Sequence, residues 1–222
     1  MAESTASVRG RPRDPDFEDR VFDAVIALYA RGGLEAVSLG AVAREARVGK
    51  ASLYLRWPDK KALLVDALKA RIVLDTHIET GDLRADLRRL AEQMLLLLWS
   101  DAGLAYMRRI VDSSVHPEVF GTPHREGSPT VLAARRLVRS AVARGELPEG
   151  TSPTILMDML FGAAMMHATV TPAAMRDAAR ANAADYLDAL VETILAGVTG
   201  TRPEASATLH SGPCDGTQSN SA

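Results

Sequence analysis

The stretch Ser38-Leu39-Gly40-Ala41-Val42-Ala43-Arg44-Glu45-Ala46-Arg47-Val48-Gly49-Lys50-Ala51-Ser52-Leu53-Tyr54-Leu55-Arg56-Trp57-Pro58-Asp59-Lys60 decides the fold. Ser38 is a helix N-cap residue type, and Leu39, Val42, Ala43 and Ala46 then recur on one helical face. A tight connection at Arg47-Val48-Gly49 leads to a second short helix, expected from Lys50 to about Arg56, with Leu53 and Trp57 facing inward. Pro58 ends that helix, and Asp59 caps a long one expected to reach about Ile78. Ala43 is small where two short helices must cross closely, and Val48 and Leu53 can fill the wedge between them. Two short helices at a tight turn, set between longer ones, form a helix-turn-helix. The outward face of the second helix carries Lys50, Ser52 and Arg56 with Tyr54 beside them. Such groups neutralise phosphates and donate hydrogen bonds to phosphates or base edges.

Upstream, Val21, Phe22, Val25, Ile26, Leu28 and Tyr29 are spaced for one face of a helix over 16–30, which Gly32-Gly33 is expected to stop. Downstream, Asp82 caps a helix with Leu83, Leu87, Leu90, Met94 and Leu97 in register. Leu95 to Trp99 makes its end apolar all round, as in a central buried helix. Further helices are expected at 105–115, 129–144, 153–169 and 172–198, with a Pro/Gly-rich loop at 116–128. Ser152-Pro153 and Thr171-Pro172 each place proline just after an N-cap. No segment alternates as a strand does, so the fold class is all-α.

Composition agrees. The chain has 222 residues, 47% hydrophobic and 24% charged, with only 5% aromatic, which favours helices over a β-sandwich. The lone cysteine, Cys214, excludes an intrachain disulfide, and with no apolar leader at the start a cytoplasmic location is expected. The longest apolar stretch, 155–170, is interrupted by Asp158 and His167 and reads as too short to cross a bilayer. Formal net charge is −2, yet Arg44, Arg47, Lys50, Arg56, Lys60 and Lys61 against Glu45 and Asp59 give 38–61 a charge of +4, leaving −6 elsewhere. A basic patch on an acidic protein is an electrostatic footprint for nucleic acid.

From Val21-Phe22-Asp23-Ala24 to Leu64 the chain resembles the TetR (tetracycline-repressor) family. The resemblance is carried by Ala36-Val37-Ser38-Leu39, Val42-Ala43-Arg44-Glu45-Ala46, Val48-Gly49-Lys50-Ala51-Ser52-Leu53-Tyr54 and Trp57-Pro58-Asp59-Lys60-Lys61-Ala62-Leu63. It implies an N-terminal three-helix helix-turn-helix DNA-binding domain and a larger C-terminal helical ligand-binding and dimerisation domain. It also implies that Lys50, Ala51 and Ser52 approach base edges and nearby phosphates. Tyr54 and Lys60 would clamp the DNA backbone, and Ser38 would bring the first short helix's N-terminus to a phosphate. Two positions depart from the family pattern: Arg47 stands where glycine is usual, and Gly49 where a capping serine is common, so the turn could be shifted by a residue. Gly40 leaves no side chain where some relatives read bases. The arm Arg9-Gly10-Arg11-Pro12-Arg13 reads either as a minor-groove hook or as a solubilising tail.

The expected organisation is a basic arm over 1–15, the DNA-binding domain over 16–60, a sensing and dimerisation domain over 61–198 and a disordered tail over 199–222. Met94, Trp99, Tyr106, Met107, Met159, Met166 and His167 are the candidate lining of an apolar effector pocket. The helices at 153–169 and 172–198 are the candidate homodimer surface. No cofactor is implied, and none of the five histidines sits with a cysteine or carboxylate at metal-ligand spacing. The expected function is a ligand-responsive regulator, most often a repressor in such a family, on a palindromic double-stranded DNA operator. The alternatives are a helical protein-interaction module, or an all-α enzyme for which no nucleophile elbow, phosphate loop or paired catalytic carboxylates can be found.

Overall fold

The computed structural model describes residues 14–75, 77, 79–121 and 129–200, apart from the side chains of 129–131. The expectations placed on Arg9, Arg11, Arg13 and the tail with Cys214 lie outside the described residues. Eleven α-helices and one 3₁₀ turn are present among them, with no strand.

The first helix, α1 (Phe17–Ala36), buries Val21, Val25 and Tyr29. It does not stop at Gly32-Gly33 as expected: Gly33 takes φ 65°, ψ −159°, and the helix resumes to Ala36. The kink frees carbonyls that α6 recovers, since Arg108 Nε donates to the carbonyl of Ala30 at 2.8 Å and Nη2 to that of Arg31 at 3.4 Å. Next come α2 (Leu39–Glu45), α3 (Lys50–Tyr54) and α4 (Lys60–Arg71). The α4 helix ends seven residues short of Ile78. Ile72 and Val73 are β-branched and disfavour helix, while Arg71 is held by Asp19 at 2.8 Å and Asp23 at 2.7 Å. Leu63, Leu64, Ala67 and Leu68 join the core of α1–α3, so this packing unit runs through α4 instead of closing at residue 60.

Beyond it lie α5 (Leu83–Leu98), α6 (Gly103–Val115), α7 (Pro117–Phe120), α8 (Pro129–Ala143), α9 (Pro153–Val170), α10 (Arg176–Ala181) and α11 (Ala183–Thr199). The short α7 falls inside the stretch expected to be loop. The helix expected over 172–198 is broken into a 3₁₀ turn (Ala173–Met175), α10 and α11. The break sets Arg180 on the end of α5, where Nη2 donates to the Trp99 carbonyl at 3.0 Å and the guanidinium lies 5.9 Å from its ring centre. At the same corner Gly103 is obligatory, because a Cβ there would fall 2.2 Å from the Leu98 carbonyl oxygen. The end of α5 is not buried all round: Leu95 and Leu97 face inward, but Leu96 is exposed. The second core joins α5, α8, α9 and α11 through Leu87, Leu137, Leu156, Leu160, Leu187 and Val191.

The 18-residue α9 just meets the length and composition of a membrane-spanning helix, yet it packs against α5, α8 and α11. Leu156, Leu160, Ala164 and Ala168 go into that core, and its outward stripe is apolar as well: Ile155, Met159, Met166 and Val170.

Candidate nucleic-acid interface

Ser38 caps α2, its Oγ accepting from the Ala41 N–H at 3.1 Å. The turn that follows is a Schellman motif. The Val48 N–H reaches the Ala43 carbonyl at 3.0 Å and the Arg47 N–H that of Arg44 at 3.3 Å. Arg47 itself adopts the left-handed conformation at φ 55°, while Gly49 stays at φ −68°. The turn is therefore not shifted by a residue, and Arg47 takes the left-handed position itself at a cost of roughly 1 kcal/mol. Gly49 starts α3 with no side-chain cap.

Leu53 is fully buried, which fixes the rotation of α3 and turns Lys50, Ala51, Ser52, Tyr54 and Leu55 outward. Lys50 Nζ lies 5.7 Å from the Tyr54 ring centre, and its chain end passes within 4.0 Å of where a Cβ on Gly40 would stand. Gly40 therefore leaves open the side of α2 nearest the lysine. Among the described residues no carboxylate lies within 4 Å of Arg44, Arg47 or Lys50. Trp57 is buried, edge-on to Phe22, and its indole N–H donates to Asp66 Oδ2 at 3.0 Å. Asp59 caps α4, accepting from the Lys61 and Ala62 N–H groups at 2.8 and 2.9 Å.

Two expected DNA contacts are engaged inside the protein. Arg56 lies past the end of α3, which stops at Tyr54; its guanidinium pairs with Glu18 at 2.9 Å and stacks 4.2 Å from the Phe17 ring centre. Lys60 Nζ donates to the Leu34 carbonyl at 3.1 Å, holding α4 to the end of α1. Three donors on the ammonium leave two for other partners.

The candidate effector residues do not form one lining. Met94 is core, while Met159 and Met166 sit on the outer stripe of α9. Sequence periodicity could not assign them, because α9 is apolar on both sides. Tyr106 touches both cores, with burial raising its hydroxyl pKa, and Met107 is half-buried on α6. Trp99 and His167 do meet, edge-on at 6.4 Å, and His167 stacks on Tyr186 at 3.8 Å. Trp99 Nε1 and His167 Nε2 are buried without a hydrogen-bond partner, and burial lowers the imidazole pKa. Tyr186, on the helix expected at the homodimer surface, thus joins Trp99 and His167. One open cleft of about 870 Å³ lies elsewhere, between α1 and α4; with Asp14, Glu18, Arg56, Asp66 and Lys69 it is too charged for an apolar effector.

A second feature missed from sequence is the contact between the two units. The fully buried Tyr29 donates its hydroxyl to Asp112 Oδ2 on α6 at 2.7 Å. Burial and then the carboxylate hold its pKa far above the ordinary value. With the Arg108 bonds, α6 grips α1 at three points, none of which an apolar pattern reveals.

Two short helices joined by a Schellman turn, the second held out by one buried leucine beside cations that no carboxylate pairs among the described residues, define a helix-turn-helix DNA-binding protein. Residues 21–67 match the family model for bacterial regulatory proteins of the tetR family, and residues 77–194 the tetracyclin repressor-like C-terminal domain. The chain belongs to the TetR family of transcriptional regulators. It is 32% identical to the HTH-type transcriptional regulator AqdR of Rhodococcus erythropolis over 73% of this chain and 78% of that one. A stretch of 49 residues, 22% of this chain, is 49% identical to the HTH-type transcriptional repressor KstR of Rhodococcus jostii, of which it covers 23%. The fold matches a TetR-family transcriptional regulator from Haemophilus influenzae with a TM-score of 0.58 at 18% identity, over 82% of this chain and 99% of that one. These families and relatives are regulators, not enzymes, so the enzyme alternative falls.

Proposed function

We propose that the chain is a repressor that binds a palindromic operator as a homodimer and is released by a small apolar effector. The observation that carries this reading is the outward face of α3, where Lys50, Ser52 and Tyr54 stand clear of the fold beside the capped start of α2. In the complex Lys50 and Tyr54 contact phosphates, Ser52 and Ala51 face base edges, and the Ser38 hydroxyl, whose oxygen already caps α2, donates to a phosphate. Lys60 adds a backbone contact with its free donors; Arg56 does so only by leaving Glu18. The likeness of a 49-residue stretch to a named repressor supports the sign of regulation.

Dimerisation rests on the stripe Ile155, Met159, Gly162, Met166 and Val170, spaced four, three, four and four residues apart on α9. Its large side chains are exposed in the single chain, and a Cβ on Gly162 would meet nothing within 4 Å. Gly197 on α11 is equally open. Such a face, with small residues between large ones, suits close packing across a two-fold axis. The two recognition helices would then enter major grooves about 34 Å apart.

The effector site is placed at Trp99, His167 and Tyr186, with Tyr106 and Met107 toward α6. The helix after Asp59 does not reach Ile78 but stops at Arg71, and α6 is bonded straight to α1. Effector binding therefore acts by shifting α6 and, through Tyr29 and Arg108, the whole N-terminal unit. The shift in population is limited by the effector's preference between the two states.

The test is selection of genomic fragments on the purified full chain, followed by fluorescence anisotropy across a salt series. A saturable complex of two chains per site, weakened by rising salt and by Tyr54→Ala, is the expected result. Met166→Asp should halve the solution mass and remove tight binding. If no fragment is enriched over competitor DNA, the operator reading fails.

A further inference from the structure

The outward surface of α3 consists of two adjoining rows. Lys50 and Tyr54 form one, cationic and aromatic, with the ammonium 5.7 Å from the ring centre. Ala51 and Leu55 form the other, about 100° further round the helix. The Leu55 N–H donates to the Ala51 carbonyl at 3.2 Å, so the helical turn that puts both side chains on one face is intact.

This second row is wholly apolar and faces solvent. Leu55 is 87% exposed, more than any other large hydrophobic among the described residues, whereas Leu53 two positions earlier is 0% exposed. A single exposed leucine needs no explanation by itself. Here, however, it shares a face with Ala51 on the helix that carries the candidate DNA contacts. The next residue, the cation Arg56, is drawn back to α1 by Glu18 and Phe17 instead of covering it.

Along the major-groove edges of the four bases, one alkyl group projects into the groove: the C5-methyl of thymine. We propose that Ala51 and Leu55 form a reading strip for thymine methyl groups, with Leu55 seated on the methyl of one thymine in each operator half-site. The lysine and tyrosine row sets register on the phosphates, and the apolar row contributes base preference. This rests on the operator reading above.

The experiment uses the enriched duplex with each thymine replaced singly by deoxyuridine, which removes the methyl and keeps the base pair. Kd is measured by anisotropy for the natural chain, Leu55→Ala and Tyr54→Phe. At one thymine per half-site the natural chain should lose about fourfold in affinity, as expected for one buried methyl. Replacing that thymine in both half-sites should lose the square of this factor. Leu55→Ala should bind the thymine and uracil duplexes alike, with an unchanged melting temperature because the side chain is exposed. Tyr54→Phe should weaken both duplexes equally and keep their ratio. A natural chain indifferent to uracil at every position overturns the strip, as does a thymine preference that survives Leu55→Ala. A Leu55→Ala variant that keeps its DNA binding and loses a protein assembly instead also overturns it, assigning the leucine to a protein contact. No saturable complex with the unmodified duplex overturns both this proposal and the operator reading.

Discussion

Arg47 and Gly145 end helices in the two halves of the molecule with the same hydrogen-bonded turn. After α2 the Val48 and Arg47 N–H groups return to the carbonyls of Ala43 and Arg44; after α8 those of Glu146 and Gly145 return to Ala141 and Val142. Both central residues have positive φ, 55° for Arg47 and 76° for Gly145. Glycine adopts this conformation freely and arginine does not. The C-terminal unit thus uses the least strained residue where only a chain reversal is needed. The N-terminal unit carries a strained one, with its charge exposed just before α3, in a turn flanked in sequence by the buried Val42 and Leu53. A small loss of stability thus falls where an exposed cation precedes α3.

The largest test of this contrast asks whether the two halves are separate at all. Leu53→Ala and Leu160→Ala each empty a fully buried site in a different core and should each cost about 2–5 kcal/mol by denaturant titration. Because α6 is bonded to α1, both should shift one shared transition. Two independent transitions would show that the halves fold separately.

Asp112→Ala comes next. It leaves the buried Tyr29 hydroxyl without its acceptor and should cost about 1–3 kcal/mol. It should also split the shared transition and blunt release of DNA by effector, whereas Tyr29→Phe, which removes donor and need together, should cost less. If Asp112→Ala leaves both the melting profile and effector response unchanged, the coupling does not run through this contact.

The smallest pair addresses the turns directly. Gly145→Ala should destabilise by roughly 1 kcal/mol and leave DNA affinity alone. Arg47→Gly should stabilise by up to about 1 kcal/mol while lowering the salt slope of DNA binding by about one counterion. If Arg47→Gly leaves the salt slope untouched, the arginine serves no phosphate and its strain is uncompensated.

The N-terminal unit was legible because its determinants are local. Capping residues, a three-residue turn and one inward leucine define α2 and α3 within 17 residues, Ser38 to Tyr54. Errors arose where an apolar pattern had two readings. Met159 and Met166 looked like pocket lining and lie on the outer face, since α9 is hydrophobic on both sides. Arg56 looked like an outward cation and is held by an acid 38 residues away, which no spacing rule along one helix can anticipate.

By itself the sequence determined the all-α class, the helix-turn-helix and, by resemblance, the family, while the left-handed strain at Arg47 was settled only by the structure. The class and the helix-turn-helix follow from caps, turn chemistry and 3.6-residue periodicity, all short-range, and the family from the residue stretches that resemble it. Tertiary structure alone decided where α4 stops, that α10 breaks the final helix, that Tyr29 meets Asp112, and that Leu55 stands in solvent beside Ala51. Those outcomes depend on which distant side chains reach a freed carbonyl, an unpaired hydroxyl or an empty face, and such partners are chosen only when the helices pack.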